Sequence, residues 1–281
     1  MLTVLEIIKR TTEFFSGKGI ESPRLNAELL IGHALGRNRM QLYLEFERPL
    51  TETELEKIRP LVRRRAQHEP LQYIVGEMEF FGAKLKVDRR ALIPRPETER
   101  LVELVGLNGM TLAPTKILDL GTGCGAIAIA LALLFPSAAI TAVDRSEEAL
   151  ALARENAAGT GLAGRVTFLA SDWFAAVAAQ SFEIIVGNPP YLSAEEVAQT
   201  APEVRGFEPM MALSAAEDGL ADLARIIREA PGHLVPGGLL ALETGIAQHT
   251  RLLALATEAG FSRAESKQDL SGRDRYVLAF R

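Results

Sequence analysis

Residues 117–125 read Ile-Leu-Asp-Leu-Gly-Thr-Gly-Cys-Gly, and this stretch decides the fold of the chain. The apolar residues before Gly121 are typical of a buried strand, and the alternating glycines let a tight turn bring its backbone close to a ligand. The apolar run 126–134 follows at once and predicts a helix. A strand, a glycine-rich turn and a helix in this order indicate a nucleoside-binding unit of an α/β sheet.

The glycine spacing excludes two better-known nucleotide motifs. Position 126 is alanine, so the turn is not the G-x-G-x-x-G of dinucleotide-binding proteins, and no Lys-Ser or Lys-Thr pair follows as in a P-loop. Asp119, just before the turn, suits a cationic or amine-bearing ligand better than a phosphate. We predict a cofactor site formed by Gly121, Thr122, Gly123, Cys124 and Gly125, with Cys124 a small turn residue and not a reactive thiol.

Strands and helices alternate from about residue 98 onward. This alternation predicts an α/β fold with a mostly parallel sheet that is covered on both faces. The last two segments are predicted to close the sheet as an antiparallel pair. The predicted strands cover residues 116–120, 139–143, 166–169, 182–186, 239–243, 262–268 and 275–280.

Polar and aromatic side chains follow the next two predicted strands. Asp144 lies 23 residues after Gly121, which suits a carboxylate that accepts hydrogen bonds from ribose hydroxyls; the alternative is an ordinary helix N-cap. Asp172 can accept from an exocyclic amine, and Trp173 can cover a purine face, although a lone tryptophan is more often part of a core. The strand ends therefore predict a nucleoside pocket.

Asn188-Pro189-Pro190-Tyr191 follows the fourth predicted strand. Two consecutive prolines fix two φ angles and remove two backbone donors, so the segment is rigid. The Asn188 side-chain oxygen and the Pro189 carbonyl can then form a double acceptor for a planar NH2 group, with Tyr191 offering a flat face. The motif indicates chemistry on an amino or amide nitrogen, although taken alone it is equally compatible with a plain tight loop.

Residues 1–75 carry helical periodicity and predict a small bundle. Thr51 and Glu54 match a capping box, whereas Pro60 should kink or break the helix that follows. The run 63–65, Arg-Arg-Arg, gives the bundle a basic edge, which is either a solvated face or a docking surface for an acidic or RNA-associated partner. Residues 76–97 predict a hairpin and then a stiff linker packed on the second domain.

Composition narrows the class of protein. The net charge of −5 gives no strong field toward nucleic acid, and no apolar run is long enough to cross a bilayer. The first residues lack a signal-type pattern, and a single cysteine fits a reducing compartment. The four scattered histidines show no metal-ligand spacing. We expect a cytoplasmic protein without a metal, a membrane contact or direct nucleic-acid binding.

The three strand ends together resemble class I S-adenosylmethionine-dependent methyltransferases, and the wider pattern resembles the HemK/PrmC family. The resemblance covers almost the whole chain. It is carried by the helical N-terminal domain and by residues 92–99, 119–125, 171–173, 188–191, 207–209 and 272–275.

This resemblance implies methyl transfer from S-adenosyl-L-methionine to N5 of the glutamine in the Gly-Gly-Gln motif of class I peptide chain release factors, which modulates translation termination. Asn188, Pro189 and Tyr191 are then catalytic, all of 188–191 contact the substrate, and Asn188 also contacts the cofactor. Residues 98–281 form the methyltransferase domain, and the bundle 1–75 docks the partner protein.

Three other functions use some of the same features. Adenine N6-methyltransferases of nucleic acids share Asn-Pro-Pro-Tyr, but the acidic second domain and the lack of a basic recognition domain speak against them. A non-enzymatic cofactor-binding module does not need the tetrapeptide. An NAD-dependent oxidoreductase requires a different glycine spacing.

Overall fold

The computed structural model describes residues 2–281, which divide into two compact units. The helical unit comprises the residues up to Glu77 together with Ala201–Phe207. The sheet unit comprises Met78–Thr200 and Glu208–Arg281. The helical unit is therefore built from two stretches that lie far apart in the sequence, whereas the sequence-based division placed all of 98–281 in one domain.

The elements follow one another along the chain as helices first and then as alternating strands and helices. The helices are α1 Val4–Gly17, α2 Pro23–Leu35, α3 Arg39–Leu44, α4 Glu52–Ala66, α5 Leu71–Val75, α6 Pro96–Gly109, α7 Ala126–Leu134, α8 Glu147–Gly159, α9 Ala194–Gln199, α10 Pro202–Phe207, α11 Ala216–Gly219, α12 Ala221–His233 and α13 His249–Glu258. The strands are β1 Glu77–Phe80, β2 Ala83–Lys86, β3 Lys116–Leu120, β4 Ala139–Asp144, β5 Val166–Ala170, β6 Phe182–Gly187, β7 Leu234–Glu243, β8 Arg263–Gln268 and β9 Asp274–Phe280.

Helix α4 begins at a capping box and continues without a break past an internal proline. At its start, Thr51 Oγ1 accepts from Glu54 N at 3.3 Å and Glu54 Oε2 accepts from Thr51 N at 2.9 Å, which confirms the predicted capping box. Pro60 lies inside the helix, yet the helix is not broken there. Proline has no N–H, so the helix lacks one backbone hydrogen bond at Pro60. Ile58 and Arg65 on either side of Pro60 are buried, and such packing can outweigh the lost bond.

The arginine run 63–65 does not form a continuous basic surface. Arg64 pairs with Glu69, with both nitrogen–oxygen distances at 2.8 Å. Arg65 is 5% exposed, and its guanidinium donates to Asn26 Oδ1 at 2.7 Å and to Glu203 Oε1 at 2.8 Å. The second of these bonds joins Ala201–Phe207 to the rest of the helical unit. Two of the three arginines thus stabilise the unit itself.

The sheet unit contains a seven-stranded sheet in the order β5-β4-β3-β6-β7-β9-β8. The strands from β3 to β7 are parallel, and β9 runs antiparallel to both β7 and β8, which confirms the predicted mostly parallel sheet with an antiparallel end. Apolar clusters cover both faces. Strand β7 begins at Leu234, earlier than predicted, because Leu234 already pairs with Phe182 of β6. Residues 235–238 then interrupt the register before the next pair, Ile184–Leu239.

The register of the sheet brings the predicted site residues to one edge. Leu120, the last residue of β3, pairs with Gly187 of β6, so the glycine turn and Asn188 leave neighbouring strands at the same level. Asp144 ends β4 and pairs with Ala170 of β5. Since parallel strands all point the same way, the residues that follow them meet at their common carboxyl edge.

The segment between the β1–β2 hairpin and α6 lies against the sheet unit. Ala91 and Ile93 are buried, and Arg95 is the N-cap residue of α6, whose first helical residue is Pro96. A proline at this position has a φ angle suited to the first helical turn and no N–H to leave unpaired. Residues 91–95 therefore follow a single path into the helix.

Candidate active site

A cavity opens to solvent at the carboxyl ends of the parallel strands. It is lined by most of the residues that the sequence predicted for the site, namely Gly121, Thr122, Gly123, Cys124, Asp144, Asp172, Trp173, Asn188 and Pro190. Gly125, Pro189 and Tyr191 are not among the lining residues. The roles of all twelve in binding and catalysis stay predictions.

Two glycines of the turn serve different purposes. Gly121 has φ +68°, and a Cβ placed on it would lie 3.4 Å from Cζ3 of Trp173, so the indole ring lies against the turn. Gly125 has φ +85°, and a Cβ there would lie 3.1 Å from the Cβ of Ala153 in α8. Gly125 therefore allows α7 and α8 to pack closely, a use of glycine that sequence spacing does not distinguish from ligand contact.

One carboxylate oxygen of Asp119, just before the turn, is buried without a hydrogen-bond partner in the part of the chain that the structure describes. Its side chain is fully buried, and Oδ2 accepts from Thr122 Oγ1 at 2.6 Å. Oδ1 has no hydrogen-bond partner among residues 2–281. Burial raises the pKa of Asp119 to about 7, and the nearby Asp144 adds to the rise, although the Thr122 hydroxyl and the backbone N–H of Ala128 oppose it. A buried acceptor without a partner is costly. Asp119 does not itself line the cavity, whereas Thr122, to which it is bonded, does, and a contact between the free Asp119 oxygen and a ligand donor stays a prediction.

Asp144 holds the turn and keeps acceptor capacity. Oδ2 accepts from Gly123 N at 2.9 Å, and Oδ1 accepts from Ser146 N at 2.9 Å. The N-cap of α8 is Ser146, whose side chain accepts from Ala149 N, so Asp144 is not the helix cap that was its alternative interpretation. Each carboxylate oxygen has a further lone pair, which leaves Asp144 able to accept from hydroxyl groups.

Trp173 adopts a backbone conformation that is rare for a bulky residue. Its φ is +50°, a value that persists only where surrounding contacts enforce it. Ser171 Oγ donates to the Trp173 carbonyl at 2.8 Å, and Trp173 Nε1 donates to Asp222 Oδ1 at 3.1 Å. These two bonds fix the ring at the cavity wall. Asp172 lines the cavity as well, with its Oδ2 2.8 Å from Nη1 of Arg225.

Asn188 is connected to two residues that sequence reasoning missed. Asn188 Nδ2 donates to Thr98 Oγ1 at 3.2 Å, and Thr98 Oγ1 donates to Glu243 Oε2 at 2.7 Å. The Tyr191 hydroxyl donates to the other oxygen, Glu243 Oε1, at 3.2 Å. Burial raises the pKa of Glu243. The one available signal was an acidic residue at the carboxyl end of an apolar strand, β7.

Arg95 and Glu208 form a second contact at the cavity wall. Arg95 lines the cavity, and its Nη2 lies 2.5 Å from Oε1 of Glu208, which is 5% exposed. Glu208 Oε2 also accepts from Ile93 N at 3.2 Å. The carboxylate therefore holds two points of the segment 91–95 against the cavity.

Two other kinds of chemistry find no support in the structure. Cys124 is buried, and burial raises the pKa of its thiol to about 12, so it is not a reactive nucleophile. No cluster of three or more histidine, cysteine or acidic side chains suited to a metal occurs among residues 2–281.

Among the same residues, no helix has the length and apolar character needed to span a membrane.

The sheet order, the glycine turn and the carboxylates at the strand ends define a class I S-adenosylmethionine-dependent methyltransferase. The residues present fit this cofactor, because Asp144 and Trp173 line the cavity, where the carboxylate suits a ribose and the indole ring suits a purine. The fold is shared with the catalytic domain of hMettl16 in complex with MAT2A 3'UTR hairpin 1, with a TM-score of 0.58 at 16% identity over 78% of this chain and 80% of that one.

Sequence comparison resolves the family. A model described as the PrmC N-terminal domain matches residues 6–76, and one described as the methyltransferase small domain matches residues 99–204. The release factor glutamine methyltransferase of Chlorobaculum tepidum is 43% identical over 97% of this chain and 95% of its own. That of Geobacter sulfurreducens is 40% identical over 98% and 95%. The chain belongs to the release factor glutamine methyltransferase family, which confirms the HemK/PrmC resemblance.

Proposed function

We propose that this enzyme transfers a methyl group from S-adenosyl-L-methionine to N5 of the glutamine in the Gly-Gly-Gln motif of class I peptide chain release factors. The substrate is supported by the relatives, since release factor glutamine methyltransferases are 40–43% identical to this chain over nearly its whole length. The main structural support for this reaction is the Asn188 side chain, which lines the cavity and whose NH2 group donates a hydrogen bond to Thr98. Its oxygen is thereby left for a planar NH2 group of the substrate.

The side-chain amide of glutamine is a poor nucleophile, because its nitrogen lone pair is delocalised into the carbonyl. Asn188 Oδ1 and the Pro189 carbonyl accept the two amide hydrogens and hold the nitrogen in one orientation. The same two oxygens stabilise the positive charge that develops on that nitrogen. S-adenosylmethionine, when bound, supplies an electrophilic methyl group on a sulfonium. A dedicated base is unnecessary, because a nitrogen-methylated amide cation loses its proton readily.

Tyr191 and Pro190 complete the substrate site in this proposal. Pro190 lines the cavity, and the rigid Pro-Pro pair holds Asn188 at the end of β6. Tyr191 was expected to pack on the amide plane, and that contact stays a prediction. Its hydroxyl is bound to Glu243, and burial together with that carboxylate raises its pKa. Tyr191 is thus a neutral ring in a fixed place.

The cofactor roles follow the strand ends. We assign the backbone of residues 121–125 to the methionine part, Asp144 to the ribose, and Asp172 with Trp173 to the adenine. Asn188 contacts the cofactor from the carboxyl end of β6, the strand next to β3. The support is that all of these residues except Gly125 line one cavity and that Asp144 keeps free lone pairs.

The helical unit is proposed to dock the protein partner, while the sheet unit carries out catalysis. Leu29 and Met40 line a groove on the helical unit, and Met40 is 66% exposed. Exposed apolar side chains beside charged ones suit a protein contact better than nucleic acid. Because release factors act on the ribosome, we expect the enzyme to act in the cytoplasm.

The test is mass spectrometry of a purified class I release factor after incubation with this protein and methyl-labelled cofactor. The expected product carries one added methyl group on the glutamine of the Gly-Gly-Gln peptide. A matched Asn188→Ala protein should bind the cofactor and give little product. Label transferred to RNA or DNA, with none on the release factor, would refute the proposal in favour of an adenine methyltransferase.

A further inference from the structure

Three elements of the sheet unit meet in one chain of hydrogen bonds that begins at the cavity wall, where Asn188 and Thr98 both lie. Asn188 follows β6, Thr98 lies in the first turn of α6, and Glu243 is the last residue of β7. Asn188 Nδ2 donates to Thr98 Oγ1 at 3.2 Å, and Thr98 Oγ1 donates to Glu243 Oε2 at 2.7 Å. The order of donors and acceptors in this chain decides which end of the Asn188 amide faces the cavity.

The direction of the chain follows from the chemistry of its last member. When Glu243 is ionised, its carboxylate has no proton to donate and can only accept. The single hydroxyl proton of Thr98 therefore goes to Glu243, and the Thr98 oxygen is left as an acceptor. Only the NH2 end of the Asn188 amide can satisfy that acceptor, so the oxygen of Asn188 is turned away from Thr98.

The burial of this chain argues for more than packing. Glu243 is 1% exposed and Thr98 is 4% exposed, while Leu239, Leu240 and Leu242 of the same strand are fully buried apolar residues. A buried carboxylate carries a large desolvation cost, and an apolar residue of similar size would serve packing alone at lower cost. What only the carboxylate supplies is an acceptor on both sides, one for Thr98 and one for Tyr191.

We propose that Glu243 and Thr98 are positioning residues that orient the Asn188 amide so that its oxygen faces the substrate nitrogen. The inference rests on the proposed methyl transfer at Asn188. Without this chain the amide is free to turn over and present its own NH2 group to the NH2 group of the substrate. Two donors then face each other, and the substrate nitrogen loses the acceptor that orients it.

Protonation of Glu243 should have the same effect as breaking the chain. A protonated carboxyl can donate to Thr98, which then can donate to the Asn188 oxygen and stabilise the turned amide. The charged and titratable groups that face Glu243 come from α6, from β9 and from the loop after β6. Tyr191 donates to it, Arg275 favours the carboxylate, and Glu97 opposes it. Tyr276 pairs with Glu243 on the neighbouring strand β9, and the carboxylate helps to raise the pKa of that tyrosine. Since burial raises the pKa of Glu243, kcat should fall as the pH drops through that raised pKa.

The experiment compares Thr98→Val, Thr98→Ser and Glu243→Gln in the full chain, with Thr257→Val on an exposed turn of α13 as the matched control. The readouts are kcat and KM with a release factor, cofactor affinity by titration, and the pH profile of kcat. Thr98→Val should lower kcat on the order of 100-fold at unchanged cofactor affinity, and Thr98→Ser should recover most of that loss. Glu243→Gln should lower kcat and remove the acid limb of the profile.

Several outcomes overturn the proposal. They are a Thr98→Val enzyme with the parent kcat, a Thr98→Ser enzyme as slow as Thr98→Val, and an acid limb that persists in Glu243→Gln. If Thr98→Val does not fold, as judged by thermal unfolding, the isosteric Glu243→Gln protein and its pH profile decide the question. Failure of the proposed function would look different, because the parent enzyme itself would then leave the release factor unmethylated.

Discussion

Replacing Asp119 by asparagine should stabilise the cofactor-free protein at alkaline pH and weaken cofactor binding. Burial raises the pKa of Asp119 from an ordinary value of 3.8 to about 7. The folded protein therefore holds this proton more tightly than the unfolded chain does. The contribution of the group to the free energy of unfolding is full below about pH 4 and is lost as the pH rises through 7.

The size of the effect follows from the pKa difference. Each pKa unit corresponds to about 1.4 kcal/mol, so the full loss above pH 7 is about 4 kcal/mol, of which less than half has occurred by pH 5. An asparagine is neutral at every pH. The stability of Asp119→Asn relative to the parent should therefore increase by about 3 kcal/mol between pH 5 and pH 8.

The assay is urea unfolding of both proteins without cofactor at several pH values, followed by the fluorescence of Trp173, the single tryptophan. Other titrating groups are common to both proteins and cancel in the difference. Calorimetric titration with S-adenosylmethionine supplies the second readout. Loss of a charged acceptor for the cofactor ammonium should weaken binding by about 1.5–3 kcal/mol, or roughly 10- to 100-fold.

Two results would contradict this reasoning. A stability difference that stays constant from pH 5 to pH 8 would show that Asp119 does not hold a proton, and that Oδ1 has a partner in solution. Unchanged cofactor affinity in Asp119→Asn would show that the unpaired oxygen does not receive the ligand.

Three further changes probe the rest of the molecule. Asn188→Ala should raise the barrier to methyl transfer by about 2–4 kcal/mol at unchanged cofactor affinity; single-turnover kinetics measures this, and a parent-like rate would exclude the double-acceptor mechanism. Asp144→Asn should weaken cofactor binding roughly tenfold while kcat at saturating cofactor changes little, as steady-state kinetics would show; a lower kcat with unaltered affinity would contradict the ribose role. Arg65→Ala should lower the free energy of unfolding by about 2–3 kcal/mol, because it leaves the Asn26 Oδ1 acceptor without its donor and removes the guanidinium that pairs with Glu203 in the helical unit; denaturant unfolding tests this, with exposed Arg63→Ala as the control, and equal stability of the two variants would refute it.

Much of the sheet and of the cavity could be predicted from local sequence patterns. The bounds of β3 and α7 agree with the predicted residues, because apolar periodicity and a glycine turn specify backbone conformation over short distances. The meeting of Asp144, Trp173 and Asn188 at one cavity also follows, since parallel strands that belong to one sheet end at the same edge.

Other features required the folded chain. Thr98 lies 145 residues from Glu243 in the sequence and 90 from Asn188, and no periodicity relates the three. The inclusion of Ala201–Phe207 in the helical unit, through Glu203 and Arg65, is equally non-local. Gly121 and Gly125 look alike in the sequence, yet one lies against Trp173 and the other against α8.

The sequence by itself determined the class of the protein, the sheet and the side chains placed at its carboxyl edge, because each of these depends on contacts along the chain or on the common direction of the strands. Only the tertiary structure decided which way the Asn188 amide points and which oxygen of Asp119 lacks a partner. Hydrogen-bond partners are set by the path of the whole chain, and buried polar groups must find them wherever that path brings a donor or acceptor within reach.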